Sequence, residues 1–357
     1  MAVRRVRDRL SIAVVAPLVA PLSAAHPYGN QHFLADLAQA LHAMGHGVVV
    51  YAAAGSHVEG VEVEAIEVPL AAQRRFVLLR DNESHESSAM AEAFECLFTR
   101  LRARGHDAIS QHAFDREAIL GCDGIPALHT LHLPPMSPPV VATVRATDSA
   151  LCSVSRSCAK QWREAVGRHV HALPNGVPRF EAPAASVSDI ALIAGRISRE
   201  KGVTTAIRAA RRARLRPRVV GEVYDRDYFD EEVAPLLDGE VVMPPLSRLA
   251  LAREMARAGA VLMPVEWDEP FGLVAAEALR VGCPVIGYRR GALPEIVRDG
   301  DGILVDPGDE NALVDALRRV HRLDRTEIRR RAAHRFDMFV CARRYEAALH
   351  GLARGWM

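Results

Sequence analysis

The residues Val265 to Ile286, V-E-W-D-E-P-F-G-L-V-A-A-E-A-L-R-V-G-C-P-V-I, leave room for little except a compact βαβ unit. Val261 to Val265 is an apolar run of strand length, and Pro264 points to its end there. Glu266, Asp268 and Glu269 crowd into a loop around Trp267. Pro270 is pre-set for a first helical turn, and Leu273, Val274, Glu277, Ala278 and Val281 follow at helical spacing until Gly282 stops them. Cys283 to Ile286 reads as the next buried strand. The N–H groups of Gly272, Leu273 and Val274 then face a helix N-terminus at the carboxyl end of a parallel strand, where a phosphate binds readily. Glu269, in the loop, and Glu277, about a turn and a half into the helix, flank that anion site. One suits sugar hydroxyls and the other ribose hydroxyls; read singly, they are a helix cap and a solvated helix residue.

The segment Glu269-Pro-Phe-Gly-Leu-Val-Ala-Ala-Glu277 resembles the E-x7-E signature of the retaining nucleotide-sugar glycosyltransferases of family 4, whose fold is called GT-B. The resemblance implies an α/β chain of two Rossmann-like domains facing across a cleft, with a C-terminal helix packing back on the first domain. It implies bounds of 1–178 for an acceptor domain, 179–338 for a nucleotide-sugar donor domain and 339–357 for the returning helix.

A chain of 357 residues, 49% hydrophobic and 25% charged, can bury two cores. Its formal net charge of +1, with basic and acidic residues mixed throughout, gives no electrostatic basis for nucleic-acid binding. Only two lysines, Lys160 and Lys201, occur among 45 basic residues, so each stands out. The six cysteines form no C-x-x-C pair and read as reduced thiols of a cytoplasmic protein. Arg4, Arg5, Arg7 and Arg9 before an apolar run outline a signal peptide, but Pro17 and Pro21 break the run and Ile12 to Ala16 makes a better first strand. No segment approaches the ~18 apolar residues of a spanning helix, so any membrane contact is expected to be peripheral.

In the first half, strand Ile12 to Ala16 leads through a long loop to a helix with Phe33, Leu34, Leu37, Ala38 and Leu41 on one face. Asn30 is placed to cap it and Gly45 to end it. The loop His26-Pro-Tyr-Gly-Asn30 hangs over the cleft. Tyr28, Gly29 and Asn30 are similar to the family's acceptor and diphosphate loop, with Asn30 where a second glycine usually stands; Asn tolerates the left-handed geometry such a turn needs. Glu83 to Ala103 reads as a helix, Asp107 to Ser110 as a strand ending at Gln111-His112, and Pro126 to His132 as another strand. His129 and His132 fall on opposite faces of it. Thr130-Leu-His132 resembles the place where the family has a histidine near the donor sugar; His112 is the weaker candidate. Val140 to Ala146 reads as an excursion or short strand, and Ser157 to Val166 as a helix capped by Ser155 or Ser157. Asn175-Gly-Val177 resembles the closure of the family's first domain.

In the second half, strand Ile190 to Ala194 runs into Gly195-Arg196-x4-Lys201-Gly202, which resembles the family's G-R-x4-K-G motif and puts two cations beside a strand exit. Asp225-x-Asp227 invites a metal reading, but Tyr228-Phe229 reads as the start of an ordinary helix. The wording G-E-V-Y-D-R-D-Y-F and Tyr288-Arg-Arg-Gly-Ala-Leu-Pro-Glu-Ile296 is most similar to the branch of the family that serves antibiotic assembly.

The resemblance implies transfer of a sugar from a nucleotide diphosphate to a small-molecule acceptor with retention and without a metal or other cofactor. Arg196 and Lys201 would stabilise the departing diphosphate, Glu269 the sugar hydroxyls, Glu277 the ribose and His132 the reacting end of the sugar. Gly195, Phe271, Gly272, Leu273 and Val274 would complete the donor site. Two other readings stay open: a non-catalytic nucleotide-sugar binding or scaffold protein, and a GT-B sugar epimerase or phosphorylase.

Overall fold

In the computed structural model, which describes residues 9–23, 29–69, 88–181, 186–237 and 242–355, two parallel sheets carry the chain. The first has the order β3-β2-β1-β4-β5-β6-β7, with β1 Ser11–Val15, β2 Gly47–Ala53, β3 Glu62–Ile66, β4 Ala108–Gln111, β5 Ala127–Leu131, β6 Ala150–Ser153 and β7 His171–Ala172. The second has the order β12-β11-β10-β8-β9, with β8 Ile190–Ala194, β9 Arg216–Val220, β10 Ala260–Met263, β11 Val285–Tyr288 and β12 Gly302–Val305. Helices cover both faces, so the central strands β1, β4, β5, β10 and β11 are buried almost throughout, and β1, β10 and β11 read as nearly continuous apolar runs. The chain direction across each sheet reverses once near the middle, between β1 and β4 and between β8 and β10. In open parallel sheets ligands bind at the carboxyl ends of strands flanking such a switch. These are two Rossmann-like domains.

The C-terminal helix Met338–Ala353 returns to the first of them. Met338, Cys341, Ala342, Tyr345 and Leu349 share one core with Ile12, Val14, Phe33, Leu37 and Leu41. Gly176 makes this docking possible, because a Cβ there would stand 2.7 Å from Met338 Cα and 2.8 Å from Cys341 Cβ. The crossing is pinned by Val177 N–H, which donates to Phe336 O at 2.8 Å.

Several expectations are corrected. Residues 138–146 form a helix, Pro138–Ala146, rather than a strand. Pro138 and Pro139 occupy its first turn, where their missing N–H groups cost nothing, and Val140 and Val144 face the core. Gly29 and Asn30 are the first residues of the helix Gly29–Ala43, not a left-handed turn before it, so Asn30 does not cap that helix. Pro270 precedes the donor-side helix rather than opening it. The helix is Leu273–Arg280, and Gly272 at its N-cap has a φ of 90°, a conformation glycine alone adopts cheaply. Tyr28 lies outside the described residues, as does the start of the expected helix at Glu83; the described helix is Ser88–Arg104. Ser155, not Ser157, caps Arg156–Val166, accepting from Cys158 N–H at 3.0 Å.

Candidate active site

The mouth of the second sheet's switch point gathers most of the residues singled out from sequence. Gly195 and Arg196 leave the end of β8, and Glu269 lies six residues beyond the end of β10. The two loops are stitched together by backbone: Glu266 N–H donates to Glu200 O at 2.9 Å. They can lie this close because Gly202 has no side chain; a Cβ would stand 2.1 Å from Pro264 O.

Here Lys201 Nζ donates to Glu269 Oε2 at 2.6 Å. Trp267 Nε1 donates to the same oxygen at 2.9 Å, and Lys201 Nζ sits 5.1 Å from the centre of the Trp267 ring. The lysine thus has a fixed position set by a carboxylate and an aromatic face. Arg196 is held in parallel fashion. Its guanidinium lies over the Tyr224 ring, 4.7 Å from its centre, and its Nη2 is 3.4 Å from Glu200 Oε1, which also accepts from Ser198 Oγ at 2.7 Å. Glu200 is fully buried, and its other oxygen lacks a partner among the described residues. Both cations keep about a fifth of their side chains exposed (21% each), so they are anchored yet open to an anion.

Sequence reasoning passed over Glu200 and Trp267. Glu200 stands in Arg199-Glu-Lys201, which reads as a solvated charged turn, and its burial arises only when β8 and β10 are neighbours. Trp267 had a signal in being the one aromatic among three acids.

Glu277 is buried and engaged in an unexpected way. Arg248 Nε donates to its Oε1 at 2.7 Å, and Arg248 Nη1 bonds Asp36 Oδ2, on the first domain's helix Gly29–Ala43. Burial pushes the Asp36 carboxyl up from its ordinary range, opposed by Arg248. Burial works against the Arg248 charge as well, but Glu277 and Asp36 together overturn that and raise it. One guanidinium between two carboxylates leaves a net negative charge in this bridge between domains. Leu273 touches the first domain too: a Cβ on Gly29 would stand 3.0 Å from Leu273 Cδ1.

The first sheet's switch point carries the histidines. His112 follows β4 and His132 follows β5, and His112 Nδ1 lies 2.9 Å from His132 Nε2. Phe33 sets its ring edge against both, at 6.3 Å and 5.8 Å between centres, and Tyr345 of the returning helix stacks on His112. Burial lowers the pKa of His132 to about 4. His129 is fully buried inside the sheet, bonded to Gln111 Oε1 at 3.1 Å, and burial also lowers it to about 4. Phe33 and Leu273 pack on one core, so the helix Gly29–Ala43 borders both the histidine pair and the donor-side helix.

Asp225 acts as a helix cap, accepting from Tyr228 N–H at 3.2 Å. Among the described residues, His46, Glu346 and His350 bring possible ligand atoms within 4.8 Å of one another. His46 Nδ1 accepts from Leu10 N–H at 3.2 Å, which puts the ring proton on Nε2, where Glu346 Oε1 takes it at 3.0 Å. That is a hydrogen-bonded tie between the returning helix and the first domain, with no nitrogen of His46 left for a metal. No helix among the described residues is long and apolar enough to cross a membrane.

Two family models match in tandem and meet at residue 179: "Glycosyltransferase Family 4" over residues 29–179 and "Glycosyl transferases group 1" over residues 179–335. With the paired parallel sheets, they define the chain as a glycosyltransferase of the GT-B type.

Among particular proteins, the chain is similar to the D-inositol 3-phosphate glycosyltransferase of Nocardioides sp. (strain ATCC BAA-499 / JS614), with 49% identity over 79 residues, 22% of this chain and 17% of that relative. The match therefore spans under a fifth of the relative's length. By fold it is similar to AviGT4, a glycosyltransferase involved in avilamycin A biosynthesis (TM-score 0.71, 24% identity, covering 97% of this chain and 98% of that one). It is likewise similar to Anabaena Alr3699/HepE in complex with UDP and glucose (TM-score 0.74, 18% identity, 96% and 99%).

Proposed function

We propose that this chain is a retaining glycosyltransferase that moves a sugar from a nucleotide-diphosphate donor to a small-molecule acceptor. The observation that carries the reading is the Lys201–Glu269–Trp267 cluster with Arg196 beside it, at the mouth of the second sheet and next to the helix N-terminus at Leu273. Two anchored, partly open cations and a helix end make a seat for a diphosphate.

In this mechanism the bond between the anomeric carbon and the diphosphate oxygen breaks, and its electron pair leaves with the phosphate. Arg196, Lys201 and the N–H groups at Leu273 and Val274 stabilise that charge. The acceptor oxygen bonds to the same face of the sugar, and its proton passes to the departing phosphate. Glu269 accepts from sugar hydroxyls while fixing Lys201. Glu277 accepts from the ribose, sharing its carboxylate with Arg248. His132 contacts the sugar, and Gly195, Phe271 and Gly272 shape the donor site. Gly29 and Asn30 sit at the cleft edge nearest the diphosphate.

In this reading the first domain, 1–178, holds the acceptor and the second, 179–338, the donor, with 339–357 as the returning segment. The cations that meet the diphosphate are supplied by the protein, and activity is expected to survive EDTA. The nucleotide sugar is substrate, with no cofactor. A place in natural-product assembly is supported by the wording around Tyr224 and Tyr288 and by the fold likeness to AviGT4.

The test is a thermal-shift panel of nucleoside diphosphates and nucleotide sugars, followed by transfer assays with the donor that stabilises most. Stabilisation should grow with the logarithm of donor concentration. A product with inverted anomeric configuration would sink the retaining mechanism. Donor binding with neither transfer nor hydrolysis across an acceptor screen would favour a scaffold instead.

A further inference from the structure

Behind His132 three polar side chains stand in line. Ser110 Oγ lies 2.8 Å from His112 Nε2, and His112 Nδ1 lies 2.9 Å from His132 Nε2. Each facing pair shares one proton, so the line runs in one of two directions. In one, Ser110 donates to His112 Nε2, His112 Nδ1–H donates to His132 Nε2, and the proton of His132 sits on Nδ1. In the other, every proton points the opposite way, and His132 Nδ1 is a bare acceptor.

Ser110 decides between them. It is fully buried on β4, and among the described residues its hydroxyl has only His112 in reach. If it merely accepted, its own proton would be buried without a partner, an uncompensated desolvation cost. Donating satisfies it. The rings cannot turn away from this arrangement, since Phe33 edges both and Tyr345 stacks on His112. His112 is 2% exposed, whereas His132 is only partly buried, and its Nδ1 has no partner among the described residues. Burial depresses both rings' affinity for a second proton, so both are neutral at pH 7.

We propose that Ser110 and His112 are positioning residues that lock His132 as its Nδ1–H tautomer, so that it presents a neutral N–H donor to an oxygen of the transferred sugar. The identity of that oxygen rests on the transferase reading; the tautomer does not. A ring locked this way cannot take the acceptor's proton, because its basic nitrogen already accepts from His112. The proton therefore goes to the leaving phosphate.

The experiment uses the full chain labelled with 15N-histidine at pH 7, with two-bond proton–nitrogen correlations assigned through His112→Asn and His132→Asn. His132 is expected to carry its proton on Nδ1. Ser110→Ala removes the deciding donor while leaving a small apolar residue, and it should split His132 between tautomers. On the best donor, kcat should fall in proportion to the Nδ1–H fraction lost, while the melting temperature changes by only a few degrees. Ser110→Cys, which keeps a weak donor, should restore part of both signals. A wild-type His132 protonated on Nε2, or a Ser110→Ala spectrum unchanged at His132, would overturn the relay even in an active transferase. An Nδ1–H signal in a protein that neither transfers nor hydrolyses any nucleotide sugar would support the relay and sink the transferase reading.

Discussion

At the scale of single residues, Lys201 concentrates the most consequence. It holds Glu269 by a 2.6 Å ion pair and is proposed to face the diphosphate. Lys201→Ala is expected to reduce kcat/KM by about 10²–10³-fold, the cost of removing a charge-stabilising donor, or about 2.7–4 kcal/mol. It also removes one of the two donors that hold Glu269, so KM for the donor should rise as well. Steady-state kinetics at saturating acceptor checks this, and a kcat/KM within threefold of wild type would remove Lys201 from the chemistry. Lys201 was legible in the sequence because lysine is scarce there and a glycine-arginine motif stands at the right spacing. Its supports, Glu200 and Trp267, were less so. A buried carboxylate beside a lysine is written like a surface turn, and only the adjacency of β8 and β10 turns Glu200 inward.

At the scale of elements, two contacts between separate segments are open to test. Gly176→Ala places a Cβ against Met338 and Cys341, so the returning helix must shift or the loop must bend. Overpacking of this kind costs about 1–3 kcal/mol, and the loss should be read as a lower melting temperature. An unchanged melting temperature would mean that the helix has slack at its docking site. Arg248→Met removes the one cation between Asp36 and Glu277. Two buried carboxylates left together destabilise by about 3–5 kcal/mol, the range for a broken buried pair. Asp36→Asn should be milder, because it leaves Arg248 and Glu277 paired. If Glu277 contacts ribose, Glu277→Gln should weaken nucleoside diphosphate binding in calorimetry, and an unchanged affinity would remove that role.

These elements were unevenly readable. Most strands and the helix Leu273–Arg280 were legible in the apolar pattern, and the returning helix was implied by the family resemblance, whereas the strand Glu62–Ile66 and the helix Pro138–Ala146 were not read. Val-Val-Ala-Thr-Val carries strand propensity, and it is helical because two prolines open it and its valines meet a core built from distant segments. The bridge through Asp36 joins residues 212 positions from Arg248, a distance over which sequence spacing says nothing.

At the scale of the whole molecule, the buried histidines should make stability depend on acidity. His129 and His132 titrate at about 4 in the fold against an ordinary 6.5, and His112 lies well below 6.5, all through burial. A group whose folded pKa is depressed binds its proton more readily when unfolded. Stability is therefore intact above about pH 6.5 and is lost as pH falls from there toward 4, by up to about 1.4 kcal/mol per pH unit for each histidine.

Buried carboxyls act in the opposite sense. Burial lifts Asp115 to about 6 from 3.8, and burial also lifts Asp36. A raised carboxyl holds its proton better in the fold, so Asp115 returns stability as pH falls below about 6, and Asp36 acts in the same direction. The two sets overlap only in part, because the histidines begin to act above the carboxyls. Unfolding free energy should thus begin to drop between pH 7 and 6 and fall more steeply toward pH 5, with Asp115 offsetting only part of the loss. Urea titrations at half-unit steps would show this, and a free energy flat from pH 7 to 6 would contradict the burial of the histidine cluster. His129→Asn, whose amide can still donate to Gln111, should remove one histidine's share of the drop. Asp115→Asn should leave the drop above pH 6 nearly intact and steepen the loss below it, a pattern that separates the two charge classes in one fold.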